Sequence, residues 1–181
     1  QCTKPISAIY PINELITALL LLVGFLKLGI SIKFLIFCII APTLLTISII
    51  DIKHKIIPDI ITIPGILFGL IAGSYLVGLK DSSLGLIVGG STFLIISEIY
   101  YRIRGRVGMG GGDIKFIAAA GALLGIQQVI LIIFISSFMG SFVGLAGLAG
   151  KKFNALSQIP FGPFLSGGTL IVYFWGEQII Q

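Results

Sequence analysis

Charge is what this sequence has least of. Only 10% of its 181 residues are charged, 56% are hydrophobic, and the mean hydropathy is +1.12. Soluble domains carry about 25% charged residues, and small domains bury only about two thirds of the surface their chains expose. No soluble core of this size could hide so much apolar side chain, and a chain so rich in aliphatics is not disordered. Cysteine is nearly absent: Cys2 and Cys38 are too few for a disulfide scaffold, and Cys38 reads as a small core residue. The one histidine, His54, has no second His or Cys near it, so it reads as a solvated loop residue and no metal site is expected. The net charge of +5 could invite nucleic acid, but the twelve Lys and Arg lie in short clusters between apolar runs. That is a membrane pattern, and no nucleic-acid partner is expected. The chain opens on Gln1, and an N-terminal piece is expected to precede it.

A membrane-crossing helix needs about 20 mostly apolar residues. Runs of this kind fall at 12–29, 33–50, 60–79, 83–100, 114–126, 128–149 and 161–180. The expected fold is therefore all-α, a polytopic bundle of about seven membrane segments, with residues 1–10 the tail of a cytoplasmic loop and 11–181 the membrane-embedded core. The run at 114–126 is short and rich in Ala and Gly, so it should be surrounded by protein or span incompletely. Placing the N-terminus in the cytoplasm puts Lys4, Lys53, Lys55, Arg102, Arg104, Arg106, Lys115, Lys151 and Lys152 inside, with only Lys27, Lys33 and Lys80 outside. Positive charge gathers on the inner side in this way. Gly85, Gly89, Gly90, Gly140, Gly144 and Gly147 read as close helix packing.

Glu14, Glu98, Asp81 and Glu177 fit as interfacial groups, but the other three acidic residues fall in two unusual segments. In IIDIKHKIIPDIITIPG, residues 49–65, Asp51 ends one apolar run and Asp59 begins the next after Pro58. Proline suits the first turn of a helix and disfavours helix before it, so the segment reads as helix, basic loop, helix. Asp59 can cap the new helix. Asp51 has no such role, and the negative end of its helix dipole disfavours its ionised form. In RIRGRVGMGGGDIKFIAAAG, residues 102–121, the glycines from Gly108 to Gly112 would cost about 1 kcal/mol each inside a helix, so they read as a loop with Asp113 opening the helix after it. The loop lacks the lysine and hydroxyl of a phosphate-binding P-loop. Acidic groups at a membrane edge usually mark function. Two close carboxylates share a proton, so that one activates water while the other protonates the reacting group. On the helix-end argument, Asp51 would hold that proton at rest and Asp113 would be the carboxylate.

At these residues the sequence resembles the type IV prepilin peptidases, membrane aspartic proteases of the GxGD class. DIKHKIIPD at 51–59, GGGD at 110–113 within GMGGGDIK, and CTKPISAIYPINELITA at 2–18 carry the resemblance, in the family's order and with about 60 residues between the aspartates. The resemblance implies that Asp51 and Asp113 are the catalytic pair, with Asp59, Pro58, Gly110, Gly111, Gly112 and Lys115 in support. It implies cleavage of the basic leader from prepilins or pseudopilins at the cytoplasmic face of the inner membrane, without metal, cofactor or covalent intermediate. The basic loops, Lys53 and Lys55 among them, would then meet lipid headgroups. Many relatives also methylate the new N-terminus with S-adenosylmethionine, and that activity comes to this chain by analogy alone. Cys2 matches only the last of four cysteines that hold zinc in relatives, so zinc is not expected, and the first helix of the usual eight would be missing. Three alternatives stay open at this point: another GxGD protease of the presenilin or preflagellin kind, a proton- or cation-coupled transporter, and an inactive pilin-binding scaffold. The sequence is silent on oligomeric state.

Overall fold

The apolar runs become helices in the computed structural model, which describes residues 9–106, 108–150 and 159–180. Among these the elements are α1 (Ile9–Leu28), α2 (Ile32–His54), α3 (Asp59–Leu76), α4 (Leu79–Arg104), α5 (Gly111–Leu124), α6 (Ile126–Ala149) and α7 (Gly162–Ile180). Five of them, α1 to α4 and α6, are long and apolar enough to cross a membrane, as a multi-pass membrane protein requires. In α7, glycines, a serine and the Glu177–Gln178 pair dilute the apolar content. Residues 1–8, including Cys2 and Lys4, and Lys151 and Lys152 lie outside the described residues.

The chain divides into two compact units, one ending at Thr46 and one beginning at Ile47. In the first, α1 closes at Gly29, whose φ of 59° gives the left-handed turn glycine tolerates best. The Ser31 hydroxyl then accepts the Phe34 N–H at 3.2 Å and so caps the start of α2. Phe25 and Phe34 meet edge to face across this turn, with ring centroids 5.7 Å apart. A side chain at Gly24 would stand 2.5 Å from the Phe37 ring, so only glycine admits that ring.

In the second unit α5 is the central strut, touching α3, α4, α6 and α7. Its 14 residues span about 21 Å, short of the roughly 30 Å hydrocarbon core, and Phe116 to Ala118 and Ala120 to Leu124 are buried. The expectation of a short, protein-surrounded segment is met. Neighbouring helices reach α5 through small residues. A Cβ at Gly69 of α3 would lie 2.7 Å from the Ala119 carbonyl oxygen, and Gly85 of α4 lies directly on the Gly121 backbone. The Ser82 hydroxyl donates to the Ala122 carbonyl at 2.5 Å. The packing role expected of the glycines holds at Gly89, against Ile117, at Gly140, against the Phe161 ring, and at Gly144, against Ile159. Cys38 is half-buried and its thiol is free.

Candidate active site

Helix α2 runs one turn past Asp51, to His54, and stops when Lys55 adopts a φ of 56° and donates its N–H to the Asp51 carbonyl at 2.8 Å. A left-handed residue after a helix is a common way to end it, and a side chain at that position is uncommon. Lys53, His54 and Lys55 are exposed here, with Lys53 and His54 in the last turn of α2 where the dipole favours positive charge. His54 is thus the last helical residue, solvated as expected but not in the loop. Asp51 itself is only 4% exposed. A carboxyl this deep needs a partner, and Gly162, the first residue of α7, donates its backbone N–H to Asp51 Oδ2 at 2.7 Å. The unfavourable end of the α2 dipole is therefore met by the favourable end of another helix.

Asp113 comes to the same place from α5. The expected loop through Gly112 ends sooner, because Gly110 is the N-cap and Gly111 and Gly112 already lie in the first helical turn. Asp113 is the third helical residue, not the cap, with its N–H on the Gly110 carbonyl at 3.1 Å. The glycines of the motif are not equivalent. A Cβ at Gly112 would stand 2.7 Å from the Ile57 carbonyl oxygen, so glycine there lets α5 dock on the turn that follows Asp51. At Gly111 nothing lies within 4 Å, and at Gly110 the nearest atom is the Asp113 carboxyl oxygen at 3.2 Å. The variable position of GxGD is thus the open one. Asp113 lies outside the five candidate spans and is half-buried. Its burial and the nearby charge of Asp51 raise its pKa from the usual 3.8 to about 6, against the opposing pull of the Gly110 backbone hydrogen bond.

The two remaining polar residues expected in support find each other. Lys115 Nζ donates to Asp59 Oδ2 at 2.7 Å, tying α5 to α3 across a largely exposed contact. Asp59 therefore does not cap α3; Pro58 occupies the N-cap with φ −67° and ψ 139° and no side-chain cap bond. Among the basic residues beyond the pair, Arg102 is bound to Glu98 at 2.7 Å. Gly162 was not singled out by the sequence reasoning. The readable signal is Phe-Gly-Pro-Phe at 161–164, with a proline at the second helical position where its missing N–H costs nothing.

A hollow of about 380 Å³ is lined by Phe93, Met109, Ile133, Phe161, Ser137 and Ser141, among others. Two serine hydroxyls and no carboxylate make it unsuited to the ribose and sulfonium of S-adenosylmethionine. Among the described residues no three His, Cys, Asp or Glu side chains converge in a way that would hold a metal ion, and Cys2, on which the zinc expectation rests, lies outside them. What the site offers is one deeply buried carboxyl bound to a backbone N–H and a second carboxyl whose proton is retained to near neutral pH. Such a pair can perform general acid–base hydrolysis.

Comparison with known proteins points the same way. Residues 38–145, which include both aspartates, match the type IV leader peptidase family. The chain is 33% identical over 180 residues to the prepilin leader peptidase/N-methyltransferase of Xanthomonas campestris pv. campestris, covering 98% of this chain and 63% of that protein. It is 34% identical to the like-named protein of Aeromonas hydrophila over 99% of this chain and 63% of the relative. For the Legionella pneumophila protein of the same name the identity is 35%, over 100% of this chain and 64% of the relative. The chain thus spans a little under two thirds of the length of the curated relatives it matches. No solved structure matches it.

Proposed function

Since this chain belongs to the type IV leader peptidase family, we propose that it is an aspartic endopeptidase that removes leader peptides from type IV prepilins or pseudopilins, with Asp51 and Asp113 as its catalytic pair. The observation that carries this reading is the convergence of two carboxyls at the helix ends of one bundle, close enough for the charge of Asp51 to act on Asp113. The reaction needs one carboxylate and one carboxylic acid. The carboxylate takes a proton from water, the resulting hydroxide attacks the scissile carbonyl carbon, and the acid protonates the carbonyl oxygen. The protons then pass to the departing amine and back to the acid. No metal or covalent intermediate takes part.

The positive-inside pattern supports a pair that faces the cytoplasm. The ends of α2 and α4 that carry Lys53, Arg102 and Arg104, and the connections with Lys55 and Arg106, lie at the end of the bundle where the carboxyls meet. The enzyme would sit in the inner membrane, with the bilayer around it and the substrate's apolar helix beside it. Aspartic peptidase chemistry needs no cofactor. The second half of the relatives' name, N-methyl transfer, has no assigned residue here, and no step above depends on it.

The test is leader removal from a prepilin, followed by mass spectrometry in membranes or detergent. Cleavage by the wild type and by neither Asp51→Ala nor Asp113→Ala is the expected result. Cleavage that survives either substitution would overturn the pair. Adding S-adenosylmethionine and looking for one extra methyl group on the product tests the second activity in the same spectrum.

A further inference from the structure

We infer that Gly162 is a positioning residue of this site: its backbone N–H and its lack of a side chain fix the Asp51 carboxyl where it meets Asp113. The inference rests on the peptidase reading above. Its basis is geometric. Asp51 is almost fully buried, and Oδ2 accepts the Gly162 N–H at 2.7 Å. That N–H is one of the unpaired donors that open every helix, at the positive end of the α7 dipole. The fit also demands the absence of a side chain, because a Cβ at residue 162 would lie 2.8 Å from Asp51 Oδ2 and 3.1 Å from Cγ. Glycine at 162 therefore lets α7 approach and present its N–H.

Lys115 is engaged by Asp59, Arg102 by Glu98, and Lys53, His54 and Lys55 are exposed. The charged group that faces Asp51 is Asp113, and like charges at close range leave one proton to be held between them.

The catalytic cycle then closes on itself. One carboxyl takes a proton from water as the new C–O bond forms, and the other gives its proton to the carbonyl oxygen. In the collapse of the tetrahedral intermediate the second carboxyl recovers a proton from a hydroxyl, the first passes its proton to the nitrogen, and the C–N bond breaks. One water is consumed and both carboxyls return to their starting forms.

The experiment compares leader cleavage by the wild type, by Gly162→Ala, and by a chain made by cell-free suppression in which glycolic acid replaces Gly162. The last variant exchanges the N–H for an ester oxygen without adding a Cβ, so it removes the donor and leaves the packing. The expected result is a fall in kcat of about 10- to 100-fold in both variants with KM within about twofold, as for a lost charge-assisted hydrogen bond felt in the reaction. Gly65→Ala, remote from the pair, keeps wild-type kcat. A raised KM with unchanged kcat would overturn the inference, and so would full activity of the ester chain. Infrared spectra of the ester chain and the wild type, both carrying isotopically labelled aspartate, give a readout that needs no turnover. A shift of a carboxyl band of aspartate is expected, and its absence would refute the bond to Asp51. Failure of the wild type to cleave would count against the peptidase reading, while the infrared result would still judge the Gly162 contact.

Discussion

Replacing glycine by alanine inside a helix ordinarily stabilises it, and this bundle should show both signs of that substitution within one contact region. At Gly65 a new Cβ would meet only the Ala119 Cβ at 3.8 Å, an ordinary contact. Gly65→Ala should therefore gain about 0.5–1 kcal/mol from backbone entropy. At Gly85 the same Cβ would fall on the Gly121 carbonyl, 2.7 Å from the Gly125 carbonyl carbon and 2.8 Å from that of Gly121. Relief requires α4 and α5 to part by roughly 0.5–1 Å, a gap that forfeits a quarter to a half of each close atom contact. Overpacking of this kind costs about 1–3 kcal/mol. Set against the roughly 1 kcal/mol propensity gain, a net loss of about 0–2 kcal/mol is expected. Gly121→Ala, which meets Gly85 from the other side with its carbonyl carbon at 2.6 Å, should behave alike. Thermal unfolding in one detergent would rank them: Gly65→Ala at or above the wild type, Gly85→Ala and Gly121→Ala below it. Because α5 carries Asp113, a shift of this size can also cost about 100-fold in rate, so cleavage should fall in the two destabilised variants even at temperatures where they stay folded. Equal melting temperatures for Gly65→Ala and Gly85→Ala would refute the argument.

Within the GxGD motif, Gly111→Ser should keep most activity while Gly112→Ser loses it, because only Gly112 is pressed against Ile57; leader cleavage by the two purified variants decides this. The Asp113 carboxyl, with its pKa raised to about 6, keeps its proton below that pH and gives it up above. If Asp113 is the acid, kcat/KM should fall as pH rises through about 6, and a pH–rate profile with no alkaline limb would count against that role. Ionising a carboxyl whose folded pKa is raised also lowers stability, between the ordinary 3.8 and about 6, so Asp113→Asn should lose less stability than the wild type over that pH range in unfolding titrations. Lys115→Ala breaks an exposed ion pair and should change stability by no more than about 1 kcal/mol, as read from the same unfolding curves.

The helices were legible because each rests on an uninterrupted apolar run, but their ends were not. The run at 33–50 becomes Ile32–His54, and 83–100 becomes Leu79–Arg104. Backbone hydrogen bonding continues through the charged residues that end a hydrophobic stretch, and hydropathy cannot see it. Gly111 and Gly112 were expected in a loop from their helix propensity, but docking on Ile57 outweighs that cost at the first turn. Asp51 and Asp113 could be singled out because carboxyls are rare and costly in such a chain. The pairing of Asp59 with Lys115, 56 residues apart, and of Asp51 with Gly162, 111 residues apart, depends on how helices stack. In the latter case the partner is a backbone N–H, which every residue except proline possesses and no side-chain pattern reveals.

The antiparallel seam of α4 and α5 also sets a length. Gly85 faces Gly121 and Gly89 faces Ile117, so each step along one helix is matched by a step back along the other, and the level of Asp113 corresponds to Phe93. Helix α4 continues to Arg104, about 14 Å beyond the first residue of α5 at 1.5 Å per residue. Counted from Phe93, the level of Asp113, Arg102 and Arg104 stand about 14 and 17 Å above the carboxyl, as if on a gauge. An extended peptide covers the same rise with about four residues. Any chain laid along this overhang from Arg102 to the level of Asp113 would therefore need about four residues to reach it.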